Sequence, residues 1–216
     1  MHEVRKISGG IYLIADAGLD NKILLKKLDE ALKSGVSVVQ LYNTENELPG
    51  QVTDINFICN LCHQYHVPVL VNNNWALLSK TLLDGVYFDK IPANYNQIEN
   101  TINKAFYKGI TCSNDVSVIK WANDNQFDYI SFCSMFPSTS ADSCEIVSFE
   151  TVKKARAITH IPIFVAGGIN LNNINSLSGL PLDGIAVISG IMASSDIPTT
   201  TENYIAELNK ITKHEN

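Results

Sequence analysis

The chain has 216 residues, of which 45% are hydrophobic and 18% charged, with a formal net charge of −6. That balance excludes a disordered chain, and it excludes the clustered Lys and Arg of a nucleic-acid-binding surface. No apolar run approaches the ~18 residues of a membrane span, and Met1 to Lys6 lacks an export signal, so a cytoplasmic protein with its five cysteines reduced is expected.

Strand-like and helix-like runs alternate along the chain. Ile11–Ala15 is an apolar run ending at Asp16. The next stretch, 21–34, places Ile23, Leu24, Leu28, Ala31 and Leu32 at helical spacing, and Gly35 ends it. A strand over 36–41 stops in the polar stretch from Gln40 to Thr44. A helix over 52–65 pairs with a strand over 67–71, and a helix over 75–82 with a strand over 85–88. Helices over 95–104, 116–125 and 148–158 precede strands over 105–111, 129–133 and 161–166. Ser113-Asn114-Asp115 reads as a cap for the helix that begins at 116. A short helix over 171–177 precedes a strand over 184–188. A last helix over 201–213 has Thr200-Thr201-Glu202-Asn203 as its expected capping stretch.

Eight β-then-α units follow. Their strands are apolar throughout, as when both faces are buried. No dinucleotide glycine fingerprint is present. The pattern predicts an α/β fold, a single-domain (β/α)₈ TIM barrel formed by residues 1–216.

In such a barrel, chemistry sits where the strands end. Those ends supply Asp16, Gln40, Tyr42, Thr44, Asn72, Asn73, Asn74, Asp89, Thr111, Cys133 and Ser189, a set rich in amides and hydroxyls and without histidine. Strands seven and eight end in Gly167-Gly168 and in Ile188-Ser189-Gly190. Two neighbouring ends of that kind form a nest of backbone N–H donors for a phosphate. A small phosphorylated ligand is therefore expected.

Gln40-Leu41, Val71-Asn72, Asp84-Gly85-Val86, Asp128-Tyr129-Ile130, Met135-Phe136-Pro137, Ala166–Ile169 and Asp183–Ser189 together resemble the thiamine phosphate synthases and their relatives, the thiazole tautomerases, over nearly the full length. The synthase joins a hydroxymethylpyrimidine diphosphate to a thiazole phosphate and releases diphosphate with help from Mg²⁺. The resemblance implies that Gly167, Gly168, Ile188 and Ser189 hold the thiazole phosphate, supported by Ser138 and Ser140. It implies that Gln40 and Asn72 face the pyrimidine.

The diphosphate half departs from the family pattern. Tyr42, Thr44 and Ala141 stand where an arginine and two lysines are usual, Tyr87 where a histidine is, and Asn73 where a metal-binding aspartate is. A charge-assisted hydrogen bond contributes about 1.5–3 kcal/mol. Three missing cations thus correspond to roughly 10³- to 10⁶-fold in diphosphate affinity or transition-state stabilisation. Lys90 is the candidate that could compensate, and Asn73 and Asp89 are the candidates for any Mg²⁺. In the tautomerase branch a histidine follows strand five, where Cys112 is a candidate for moving a proton; an isomerase would need Cys112 or a carboxylate as base.

The function expected is a thiamine phosphate synthase-like transferase with a degenerate diphosphate and Mg²⁺ site. The alternatives are a tautomerase-like enzyme, another phosphate-handling isomerase, or a non-catalytic phosphate-ligand-binding protein. A homo-oligomer is compatible with the sequence. Cys59-Asn60-Leu61-Cys62-His63, with His66 nearby, has the spacing of a haem-attachment motif. Its place inside an amphipathic helix favours packing instead.

Overall fold

The computed structural model describes residues 5–44, 50–137 and 145–212. Eight parallel strands close into a barrel in sequence order: β1 (Gly10–Asp16), β2 (Val38–Tyr42), β3 (Val69–Asn72), β4 (Gly85–Phe88), β5 (Tyr107–Thr111), β6 (Tyr129–Phe132), β7 (Ile163–Ala166) and β8 (Gly184–Val187). Outside them lie α1 (Asn21–Lys33), α2 (Gln51–Gln64), α3 (Tyr95–Ile102), α4 (Val116–Asp124), α5 (Phe149–Arg156), α6 (Ser189–Met192) and α7 (Ile197–Thr212). The expected barrel is thus the observed one.

The helices form for local reasons. In α1, Leu24, Leu28, Ala31 and Leu32 are buried at helical spacing, and Asp20 accepts from the N–H groups of Lys22 and Ile23 at 3.1 Å. A cap of this kind contributes about 1 kcal/mol. Asp115, the third residue of the expected capping stretch, caps α4 by accepting from Ser117 N–H at 2.8 Å.

Three expectations need correction. The stretches 75–82 and 171–177 form only 3₁₀ turns, over Trp75–Ser79 and Ile174–Leu177. Each is too short to complete an α-helical ladder. The last helix starts at Ile197, and Thr201 is buried on it. Asp196 supplies the start: its carboxylate accepts from Thr199 N–H at 3.1 Å, and Pro198 fits a first turn that needs no N–H there.

Two cores result. The larger lies between barrel and helices and takes the outward residues of each strand, such as Leu13, Leu41, Val71, Val86, Ile130, Val165 and Ile185. The second fills the barrel with Tyr12, Val38, Leu70, Tyr87, Tyr129, Phe164, Ala166 and Ala186, joined by Ile7 from below. The large rings fit because β5 and β8 carry glycine opposite them. A side chain on Gly109 would strike the Tyr129 ring, and one on Gly184 the Phe164 ring.

A repeated clasp closes the lower end. Asp84, Asp128 and Asp183 each precede an even-numbered strand. Their carboxylates accept from the N–H groups of Val69, Lys108 and Ile163 at 2.8, 2.7 and 2.7 Å. Their own N–H groups donate to the carbonyls of the same three residues at 2.9, 2.9 and 2.8 Å. Each aspartate so fastens the start of its strand to the strand before it. Three of the sequence segments that carry the family resemblance therefore include structural aspartates, remote from the strand C-termini.

Cys59, Cys62 and His63 are buried on the inner side of α2. His63 Nε2 lies 2.8 Å from the Asp84 carboxylate. Burial pushes both thiols up from their ordinary range. The residues of the haem-like spacing are thus packing residues.

Candidate functional site

At the C-terminal ends of the strands the barrel opens into a cavity of about 540 Å³. Pockets for small ligands fall in that range. Its lining combines the rings of Tyr12, Tyr42, Tyr87, Tyr129 and Phe164 with the polar groups of Gln40, Asn72, Asp89, Ser131 and Cys133. The barrel's period-two alternation selects this set. On β6 and the residue after it, Tyr129, Ser131 and Cys133 face in while Ile130 and Phe132 face out.

A directed chain of hydrogen bonds crosses the floor. Tyr12 Oη donates to Gln40 Oε1 at 2.7 Å, so its single proton is committed there. The 2.8 Å contact between Tyr12 and Tyr129 must then be donated by Tyr129. Gln40 Nε2 donates to Asn72 Oδ1 at 3.0 Å, and Asn72 Nδ2 donates to Asp89 Oδ2 at 3.1 Å. Every amide orientation is fixed by its neighbours, and the chain ends on a carboxylate. Beside it, Tyr87 Oη bonds to Thr111 and Ser131 and lies 3.7 Å from the Cys133 sulfur. Burial pushes the phenols of Tyr12, Tyr87 and Tyr129 and the Cys133 thiol upward. They stay protonated and neutral. Tyr42 is raised by burial and then by the charge of Asp16.

Asp16 itself braces the loop after β1, accepting from Gly18 N–H at 2.8 Å and Asn43 Nδ2 at 3.0 Å. Thr44 is fully buried, and its carbonyl accepts from Asn74 Nδ2 at 2.8 Å. Lys90 is exposed and does not line the cavity. Cys112 lies in the outer core with its thiol pushed up to about 12 by burial. It too does not line the cavity.

The phosphate nest expected from the sequence would lie at the ends of β7 and β8. Gly167 and Gly168 have φ of 89° and 67°, the left-handed region that favours glycine. A side chain on Gly168 would meet the carbonyls of Pro137 and Phe136 at 2.6 and 2.7 Å. Phe136 N–H donates to Gly167 O at 3.1 Å, which joins this turn to the loop after β6. Among the described residues the N–H groups of Gly168 and Ile169 meet no acceptor. Ile188 lines the cavity next to the exposed Ser189. Ser138, Ser140 and Ala141 lie outside the described residues.

The Mg²⁺ implied by the resemblance needs oxygen ligands turned toward it. Asn73 and Asp89 do meet, but as a closed pair. Asn73 Nδ2 donates to Asp89 Oδ2 at 2.6 Å, and Asn73 Oδ1 accepts from Asp89 N–H at 3.0 Å. Asn72 Oδ1 is taken by Gln40. Among the described residues no three His, Cys, Asp or Glu side chains gather as a metal site. These residues do not fit a resident Mg²⁺.

Sequence reasoning missed Tyr12, Tyr129, Ser131 and Phe164. The available signal was polar or aromatic residues recurring at alternate positions inside apolar strands.

Known proteins similar to this chain match it over most of its length. The family model described as thiamine monophosphate synthase matches residues 11–191. A thiamine-phosphate synthase from Clostridium tetani is 28% identical over 204 residues, covering 93% of this chain and 96% of the relative. One from Thiobacillus denitrificans is 24% identical over 208 residues, covering 96% and 97%. In fold, the chain is similar to a thiamine phosphate pyrophosphorylase from Pyrococcus furiosus, with a TM-score of 0.80 and 20% identity over 95% of this chain and 98% of the other.

Proposed function

The chain belongs to the thiamine monophosphate synthase family, and from that premise we propose that its barrel mouth holds a thiazole phosphate for thiamine phosphate synthesis. Backbone N–H groups at Gly167, Gly168, Ile188 and Ser189 take the phosphate, with Ser138 and Ser140 supporting it. The thiazole ring enters the cavity over Tyr129 and Phe164. Gln40 and Asn72, held by the chain of hydrogen bonds from Tyr129 to Asp89, orient the pyrimidine of the second substrate.

In the reaction, the bond from the pyrimidine methylene to diphosphate breaks, and the leaving oxygen keeps the electron pair. The thiazole nitrogen then forms the new C–N bond. This chain's residues contribute position and exclusion of water. Among the described lining residues Asp89 is the one carboxylate, and it is bonded to Asn72 and Asn73. Cys112, the base a tautomerase would require, sits in the outer core.

The observation that carries the reading is the convergence of two glycine- and serine-terminated strands beside an aromatic cavity. Calorimetry with thiazole phosphate tests it, followed by a turnover assay with the pyrimidine diphosphate and Mg²⁺. Absence of binding sinks the reading. Binding without turnover supports the second reading, a non-catalytic ligand-binding protein. The lack of any Lys or Arg among the described residues of the cavity lining favours that second reading.

A further inference from the structure

From Ala166 at the end of β7 to Asn170, every carbonyl is bonded to another part of the protein. Ala166 O and Gly167 O accept from the N–H groups of Met135 and Phe136 at 2.9 and 3.1 Å. Ile169 O accepts from Tyr204 Oη at 3.4 Å. Asn170 O accepts from the N–H groups of Asn173 and Ile174 at 3.1 and 3.0 Å. Gly168 O is held by side chains instead: Asn173 Nδ2 donates to it at 2.8 Å, and the exposed Asn170 Nδ2 at 3.2 Å.

Asn173 grips that carbonyl in one sense. Its Oδ1 accepts from Asn170 N–H at 2.8 Å, which leaves Nδ2 as the donor to Gly168. Its backbone is anchored where the 3₁₀ turn begins, with Ile174 and Leu177 fully buried just after it. No peptide bond here is cis. In a planar trans peptide the C=O and N–H point opposite ways. An amide that draws the Gly168 carbonyl to one side therefore directs Ile169 N–H to the other. That N–H and the one on Gly168 meet no acceptor among the described residues. Asn173 itself does not line the cavity, so it acts from behind the turn. No Lys or Arg stands in the described lining, so an anion there depends on where backbone N–H groups point.

Building on the phosphate-holding reading above, we infer that Asn173 is a positioning residue for the phosphate. Its side-chain amide fixes the peptide between Gly168 and Ile169 and so adds Ile169 N–H to the donors that face the anion. It favours a phosphorylated ligand over its unphosphorylated form without touching either.

The test is calorimetry on the full chain with thiazole phosphate and with the thiazole alcohol, comparing the parent, Asn173→Leu and Asn173→Asp. Asn173→Leu removes the donor without adding charge. Its affinity for thiazole phosphate should fall about tenfold, and its affinity for the alcohol should match the parent's. Asn173→Asp keeps the acceptor for Asn170 N–H but sets an oxygen against the Gly168 carbonyl, which favours its protonated form. Near about pH 8 it should bind thiazole phosphate at least as weakly as Asn173→Leu. As pH falls toward about 5, the protonated carboxyl donates to the carbonyl, and its affinity should rise above that of Asn173→Leu and approach the parent's. In the parent, the amide resonance of Ile169 should shift on addition of thiazole phosphate, and in Asn173→Leu it should not. Equal losses for phosphate and alcohol make Asn173 a structural residue and overturn this inference alone, as does unchanged phosphate affinity in Asn173→Leu. A parent that binds no thiazole phosphate overturns both this inference and the phosphate-holding reading.

Discussion

The hydroxyl of Tyr204 on α7 occupies the space that a side chain on Gly190 would need, and it donates to the carbonyl of Ile169 at 3.4 Å. One buried phenol therefore sits against the start of α6 and is bonded to the turn that follows β7. These are the two halves of the proposed phosphate nest. Tyr204→Phe removes one hydrogen bond, worth about 1 kcal/mol, while keeping the ring. If that bond holds the halves in register, affinity for thiazole phosphate falls about fivefold. Affinity for the unphosphorylated thiazole alcohol stays unchanged, as does the melting temperature within about 2–4 °C. Equal losses for both ligands would assign Tyr204 a purely structural role.

Ser189→Asp places a carboxylate at the exposed first residue of α6. Exposed substitutions usually change stability by less than about 0.5 kcal/mol. The variant should melt like the parent and lose measurable binding of thiazole phosphate through charge repulsion. Retained binding would move the phosphate away from β8.

Tyr12→Phe removes the donor to Gln40 Oε1 and the acceptor for Tyr129, all within the barrel floor. Leaving buried polar partners unpaired costs about 1–3 kcal/mol. Urea denaturation should register a loss of that size. The freed Gln40 amide should also weaken binding of the pyrimidine substrate more than binding of thiazole phosphate. An unchanged midpoint would mean that the chain of hydrogen bonds contributes nothing to the fold.

Alkaline pH should destabilise the protein. Burial raises Cys112 to about 12 and moves Cys59, Cys62 and Cys133 in the same direction. In the unfolded chain thiols ionise near about 8.5. The folded state therefore keeps protons that the unfolded state releases. Stability is full below that value and falls as pH rises from there toward 12, by up to about 1.4 kcal/mol per pH unit for each thiol. Denaturation midpoints at a series of pH values test the slope. Cys112→Ser should lessen it by one thiol's share without altering turnover, and a flat parent profile would contradict the assigned burial.

The barrel was legible because apolar runs such as Ile163–Ala166 and Gly184–Val187 stop abruptly in small or polar residues. Gln40, Asn72 and Asp89 could be found as strand ends for the same reason. The cavity floor was harder to read. Within Tyr129-Ile130-Ser131-Phe132 every residue is buried, so hydrophobicity alone does not indicate which pair faces the lumen. Only closure of the barrel assigns Tyr129 and Ser131 inward. The extents of the turns at Trp75 and Ile174 were hidden too, since spacing does not fix the length of a short apolar segment. The amide pairing of Asn73 with Asp89 depends on the loops after β3 and β4 lying side by side, which no local pattern encodes.

The clasps made by Asp84, Asp128 and Asp183 lie at the opposite end of the barrel from every residue proposed to meet a ligand. These three fastenings are thereby encoded apart from the residues proposed for recognition. Substitutions in the loops after β2, β4 and β6 can change the charge of the mouth while those fastenings remain intact. An exchange of a cation for an amide or a carboxylate at such a position leaves all three clasps in place. Three carboxylates at the far end thus hold the barrel whatever charge its mouth carries.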